Sequence, residues 1–325
     1  MALKNRLTEL LGVEHPILLA AMDLVADARL TRAVSEAGGF GILGGGYGDP
    51  SWLDHELSLL QSPRLGLPFG VGFITWSLAK RPELLDATLA ARPRAVWFSF
   101  GEPGRFIARV KDAGALAVCQ VQSVGMAMEA VSKGADIIVA QGGEAGGHGI
   151  SQSSLTLTPA VVDAVAGRVP VVLAGGAADG RALAAALMLG AEGIVMGTRL
   201  FASQEAAGID AAKQRIVAAD GTETLRSIVF DISRQNVWPY PFTGRCLTNA
   251  HTARWLGREQ ELMRRPEVLA DFATARQSGD LDMAPVIAGE AVGLIHDIPS
   301  AKEIVQRTAA DAERLLSDAP ALISP

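Results

Sequence analysis

Short apolar stretches recur along the first 200 residues, at 15–20, 40–44, 69–74, 95–99, 116–121, 136–140, 169–174 and 193–197. They have the length and β-branched content of parallel strands covered on both faces. Longer segments of helical character separate them, at 27–37, 51–60, 82–91, 103–113, 123–134, 158–166 and 180–189. Alternation on this scale predicts βαβ units and a parallel sheet. Eight repeats point to an α/β fold of the (β/α)8 TIM-barrel type. An open doubly wound sheet needs a topological switch and usually has fewer strands.

After Arg199 the rhythm stops. Residues 206–221 read as helix, 225–237 as extended chain carrying Arg226, Asp231 and Arg234, and 247–263 and 266–276 as helix. Trp238-Pro239-Tyr240-Pro241 must be loop, because alternating prolines break regular structure. A Gly-containing apolar segment, 284–298, precedes an amphipathic helix at 300–316, with Ser300 as N-cap and Glu303 as its capping-box partner. The expected organisation is a barrel over 1–207 and 281–325, with a small, mostly helical insertion at 208–280 covering the active site.

Composition narrows the class. The 325 residues are 49% hydrophobic and 20% charged, with a net charge of −6 and mean hydropathy +0.25. The acidic balance and the lack of a basic cluster argue against a nucleic-acid partner. Two distant cysteines, Cys119 and Cys246, suit neither a disulfide framework nor a zinc site. No apolar run approaches the ~20 residues that span a bilayer, so the expected setting is the reducing cytoplasm, off the membrane.

The candidate chemistry gathers where strands end in small residues: Ala20-Ala21, Gly44-Gly45-Gly46, Gln141-Gly142-Gly143, Gly175-Gly176 and Gly197-Thr198. Barrel enzymes place their sites at that end. The run 142–149 holds five glycines and His148, the one side chain there that exchanges a proton near neutrality. Glu144 is either an exposed loop carboxylate or a group tuning His148. Strand–glycine–helix sequences at 171–180 and 193–199 occupy the positions of strands seven and eight, whose loops often hold a phosphate. His15 reads as structural; His55, His251 and His296 have no catalytic context. Trp238 and Tyr240 either wall the pocket or join the two domains.

Three segments, Glu144-Ala145-Gly146-Gly147-His148, Gly175-Gly176-Ala177-Ala178-Asp179-Gly180 and Met196-Gly197-Thr198-Arg199, resemble the FMN-dependent nitronate monooxygenase family, formerly 2-nitropropane dioxygenases. The likeness covers nearly the whole chain and is shared in part with enoyl-acyl-carrier-protein reductases and NADH:quinone reductases. It implies a TIM barrel with FMN at its mouth, His148 as catalytic base, and Gly175, Gly176, Gly197 and Thr198 on the phosphate. Ala21, Met22, Gln120, Gln141 and Gly142 would follow the ribityl chain and ring. The implied reaction is oxidation of a nitronate or nitroalkane by O2, with no metal, and it leaves open NAD(P)H as a reductant and a homodimer as the assembly. Two departures stand out. Many relatives have Gly-Gly-Met where this chain has Ala20-Ala21-Met22, and Val-Asn where it has Val71-Gly72. A flavin reductase acting on a quinone or enoyl thioester is the alternative; a non-catalytic flavin protein, or a barrel holding another phosphorylated ligand, is a third.

Overall fold

The computed structural model describes residues 3–61 and 66–323. Eight parallel strands form the barrel: β1 (Ile17–Leu19), β2 (Gly41–Gly46), β3 (Phe69–Ile74), β4 (Ala95–Ser99), β5 (Leu116–Val121), β6 (Ile137–Gln141), β8 (Val171–Ala174) and β9 (Gly193–Met196). The missing number, β7 (Gly147–Gly149), belongs to a second sheet. Barrel order is β1-β9-β8-β6-β5-β4-β3-β2. A parallel bridge between Leu18 and Phe40 joins the two ends, with Leu19 N–H donating to Phe40 O at 3.0 Å and Phe40 N–H to Ile17 O at 2.9 Å.

Strand periodicity sorts the side chains into two layers. Leu18, Ile42, Trp97, Val118, Val139, Val172 and Val195 fill the interior. Their sequence neighbours, such as Phe98, Cys119, Ile138 and Leu173, pack outward against the helices. The first helix, Arg6–Leu11, contributes Leu7 and Leu11 to the interior cluster. Asn5 Nδ2 donates to Glu192 O at 2.6 Å, just ahead of β9, so this helix stoppers the N-terminal end and leaves the other end for the site.

Helix starts carry the expected chemistry. Asp27, Ser123, Ser153 and Asp179 each accept a backbone N–H of their helix's first turn. Some boundaries shift. The helix expected from 158 begins at Ser154, one turn earlier, because Ser153 and Glu144 cap it together and Pro159 sits inside. Of the capping box at Ser300 only half forms: Ser300 Oγ accepts Glu303 N–H at 3.2 Å, while the Glu303 carboxylate pairs with Arg307.

After β9 the chain runs through a helix at Asp210–Ala218, β10 (Thr224–Ser227), a short helix at Val229–Ser233, β11 (Thr243–Leu247), and helices at Ala250–Trp255, Glu259–Leu262 and Pro266–Ser278. Residues 225–237 are thus not all extended, and 247–263 is a strand end followed by two short helices. Strands β10 and β11 pair antiparallel, and β11 pairs in turn with β7. The final helix, Ala301–Asp318, packs back on the barrel helix Gly180–Met188. Among the described residues no helix is long and apolar enough to cross a membrane.

Candidate active site

At the C-terminal end of the strands lies a cavity of about 270 Å³. Ala21, Met22, Gln120, Gln141, His148, Gly175, Gly176, Gly197 and Thr198 all line it. Gly142, the tenth residue singled out from sequence, does not. Its N–H donates to Ala174 O at 2.8 Å, and a Cβ there would stand 2.4 Å from Glu144 Oε2 and from Ser154 N. Gly142 is a packing position beneath the site.

The glycine run is held rather than loose. Residues 147–149 form β7, with His148 opposite Gly244 of β11. Arg226 on β10 donates to the carbonyls of Gly143, at 2.8 Å, and Ala145, at 3.1 Å, and also to Gly147 O and Thr243 O. Arg245 on β11 donates to Gly143 O at 3.0 Å and pairs with Glu290. Burial pushes the Arg226 guanidinium down to about 10, with the nearby Arg245 charge adding to the effect. Gln141 Nε2 donates to His148 O at 3.1 Å, while its Oε1 accepts from Gln120 and Gln122. These contacts pin the backbone that aims His148. Glu144 is neither an exposed carboxylate nor a partner of His148: it accepts Ser154 N–H at 3.1 Å.

His148 Nε2 lies 3.0 and 3.1 Å from the two carboxylate oxygens of Asp231, on the short helix after β10. Nδ1 has no protein partner among the described residues. Trp238 stacks on the imidazole, with centroids 3.4 Å apart and planes 7° from parallel, and its Nε1 donates to Tyr47 Oη at 2.9 Å. Burial lowers the His148 pKa, and the Asp231 carboxylate opposes that shift. The result is a neutral imidazole near pH 7, with the Nε2 proton directed at Asp231 and a lone pair on Nδ1. Trp238 walls the cavity; Tyr240, 97% exposed, neither walls it nor joins domains. Phe100, also on the wall, holds φ at 62°, a strained backbone for a bulky residue.

On the other side, Gly175 and Gly176 have φ of 107° and 71°. Among the described residues the N–H groups of Gly175, Gly176 and Ala177 have no acceptor. Successive N–H groups in such a turn form an anion-binding concavity. The helix that follows contributes less than its sequence promises, since Asp179 caps it and Gly180 packs against Asp311 and Ala312 of the last helix. Gly197 is telling in another way. Its φ is −101°, and a Cβ would make only ordinary contacts, 3.4 Å to Ala20 Cβ and 3.8 Å to Met22 Sδ. Packing does not demand glycine there, and the position faces the cavity.

The two departures from the family pattern meet in space. A Cβ at Gly72 would stand 2.3 Å from Ala21 Cβ. The methyl of Ala21 therefore occupies the space a side chain at 72 would need.

Sequence reasoning missed Asp231 as the partner of His148, 83 positions away, and missed Arg226 as its clamp. It also passed over Asp23, Tyr47 and Arg276, which line the cavity with Arg234. No local signal marks them. His251 is buried and bonded to Ser233 at 2.8 Å, and Cys119 and Cys246 are buried and unpaired.

A buried histidine–carboxylate pair beside a glycine cradle, at the C-terminal mouth of a TIM barrel, defines an enzyme site. The class is oxidoreductase: the family model described as nitronate monooxygenase matches residues 4–75 and 74–311. The chain belongs to that family. It is 35% identical to a nitronate monooxygenase of Metarhizium robertsii, with 94% of this chain and 93% of that one covered. It is also 31% identical to a (3aS,4S,5R,7aS)-5-hydroxy-7a-methyl-1-oxo-octahydro-1H-indene-4-carboxyl-CoA dehydrogenase of Mycobacterium tuberculosis, covering 99% of this chain and 100% of that one. Among solved structures, FabK from Thermotoga maritima superposes with a TM-score of 0.86 at 30% identity, covering 98% and 99% of the two chains.

Proposed function

We propose that this enzyme is an FMN-dependent nitronate monooxygenase that also deprotonates neutral nitroalkanes, with His148 as the base. The observation that carries the proposal is the His148–Asp231 pair, buried, with Nδ1 unpartnered at a cavity floored by small residues.

The residues fit FMN. The unpaired N–H groups of Gly175, Gly176 and Ala177, with Gly197 and the Thr198 hydroxyl, would receive the phosphate. Ala21, Met22, Gln120 and Gln141 would lie along the ribityl chain and ring. FMN supplies the electron acceptor and the reaction with O2.

The chain supplies the rest. A nitroalkane C–H is acidic because the anion spreads onto the nitro oxygens. His148 Nδ1 takes that proton; Asp231 fixes the tautomer and stabilises the imidazolium that results. Trp238 covers one face of the imidazole, excluding water and leaving the in-plane lone pair as the reactive direction. Arg226 and Arg245 prevent β7 from drifting.

A second reading, a reductase or dehydrogenase acting on an acyl thioester, is supported by the carboxyl-CoA dehydrogenase relative and the likeness to FabK. There His148 would move a proton to or from the substrate's carbon or oxygen. Anaerobic mixing with propyl-2-nitronate, NADH and NADPH in turn decides between them. Bleaching of bound flavin by the nitronate supports the first reading; bleaching by a nicotinamide alone transfers the assignment to the second.

A further inference from the structure

Two arginines on the cavity wall have no partner. Arg234, which follows the helix Val229–Ser233, and Arg276, in the helix Pro266–Ser278, both line the cavity. Among the described residues neither side chain makes a hydrogen bond or an ion pair, and Arg234 Nε is buried with no acceptor. They lie within electrostatic reach of each other, of Asp23 and of Tyr47. Two carboxylates, Asp23 and Asp231, lie nearby, but among the described residues neither forms an ion pair with these arginines. The Asp231 oxygens are taken up by His148 Nε2, and burial raises the Asp23 pKa while the charges of Arg234 and Arg276 oppose that shift. Two like charges left together, one with a buried unsatisfied N–H, are unfavourable until an anion arrives.

We propose that Arg234 and Arg276 form a second anion subsite, distinct from the glycine cradle, that binds the diphosphate of a nucleotide-linked substrate. The cradle ends β8 and β9, whereas Asp23 and Tyr47, beside the arginines, follow β1 and β2. Depth selects the ligand. Arg234 is near enough to His148 for its charge to act on the imidazole, while Arg276 is an exposed residue at the rim. An anion extended from inside to outside uses both; guanidinium forks match phosphate oxygens in pairs. A nicotinamide dinucleotide and a coenzyme A thioester both have this form, a reactive group with a diphosphate trailing toward solvent. The subsite rests on the site proposed above, and names what else enters it.

Calorimetric titration of the flavin-loaded enzyme with NAD+, NADP+, coenzyme A and inorganic pyrophosphate tests this without turnover. At least one nucleotide should bind, pyrophosphate should compete with it, and affinity should fall steeply with added salt. Arg234→Gln and Arg276→Gln should each weaken binding about tenfold and together about a hundredfold, while Arg234→Lys, lacking the fork, recovers only part. Which nucleotide responds identifies the source of the diphosphate. Binding undiminished in the double variant, or no binding of any probe by the parent, overturns the subsite. Loss of flavin from a double variant that keeps the parent's circular dichroism also overturns it, by placing the pair on the FMN phosphate. A flavin-free parent instead overturns the proposed function itself.

Discussion

At the scale of single residues, the proposed reaction turns on one proton. His148→Asn should slow oxidation of a neutral nitroalkane by ~10²–10⁴, yet affect the nitronate, which has already lost that proton, far less. Rates on 2-nitropropane and its nitronate, at matched flavin content, check this; equal losses would mean that His148 anchors a ligand instead. pH gives a second handle. The His148 pKa is lowered, chiefly by burial, so the neutral base persists below the ordinary value near 6.5. The acid limb of kcat/KM for the nitroalkane should have its midpoint below 6.5. The same shift bears on folding: the unfolded imidazole binds its proton first as pH falls, so this contribution to stability is complete above 6.5 and lost below, toward the folded pKa. Asp231→Asn removes the group that raises the His148 pKa. Its acid limb should move to still lower pH, and the plateau rate should fall by at least about tenfold, because a weaker and less oriented base remains. An unmoved limb would show that Asp231 only packs.

At the scale of elements, the barrel was legible because parallel strands covered on both faces are nearly continuous apolar runs, and all eight have bounds within two residues of the expected ones. β1 is the shortest of them, at three residues. The second sheet was not legible. β7 consists of Gly-His-Gly, which no propensity marks as a strand; it forms because β11 pairs with it and Arg226 and Arg245 hold its approach. Asp231 was hidden for the same reason, since its partner is distant in sequence. Arg226→Met, similar in length but without donors, should leave the Ala145 carbonyl without its donor, costing about 1–3 kcal/mol, while Gly143 O keeps the Arg245 bond. The expected result is a lower melting temperature and a kcat reduced beyond any change in KM; an unaltered kcat would show that β7 holds itself. For the cradle, Gly176 is a poor place to probe, because its positive φ strains any side chain. Gly197→Val is cleaner: a β-branched residue at φ −101° meets little protein but stands in the cavity. Flavin content should drop at least about tenfold while circular dichroism is retained; full occupancy would move the phosphate elsewhere.

At the scale of the whole molecule, the cavity is a seam between two parts of the chain. Its floor comes from strand ends before residue 199, and Arg234, Trp238 and Arg276 come from the segment after β9. That later segment contacts the barrel's glycine run through the β7–β11 pairing, so a ligand spanning both should stiffen their union. Cofactor binding and stability are then linked by mass action: FMN at a hundred times its dissociation constant adds ~2.7 kcal/mol, worth several degrees in a chain of this size. On the proposed reading, one glycine cradle with no second nucleotide motif read in the sequence is expected to take FMN rather than FAD. The purified protein should be yellow, and mass spectrometry of the released chromophore should find FMN. Stripping it with a chaotrope and refilling should lower and then restore the melting temperature, and FAD added to the stripped protein should restore much less. Recovery by FAD equal to that by FMN, or a melting temperature indifferent to both, would mean that the cradle does not select a terminal phosphate.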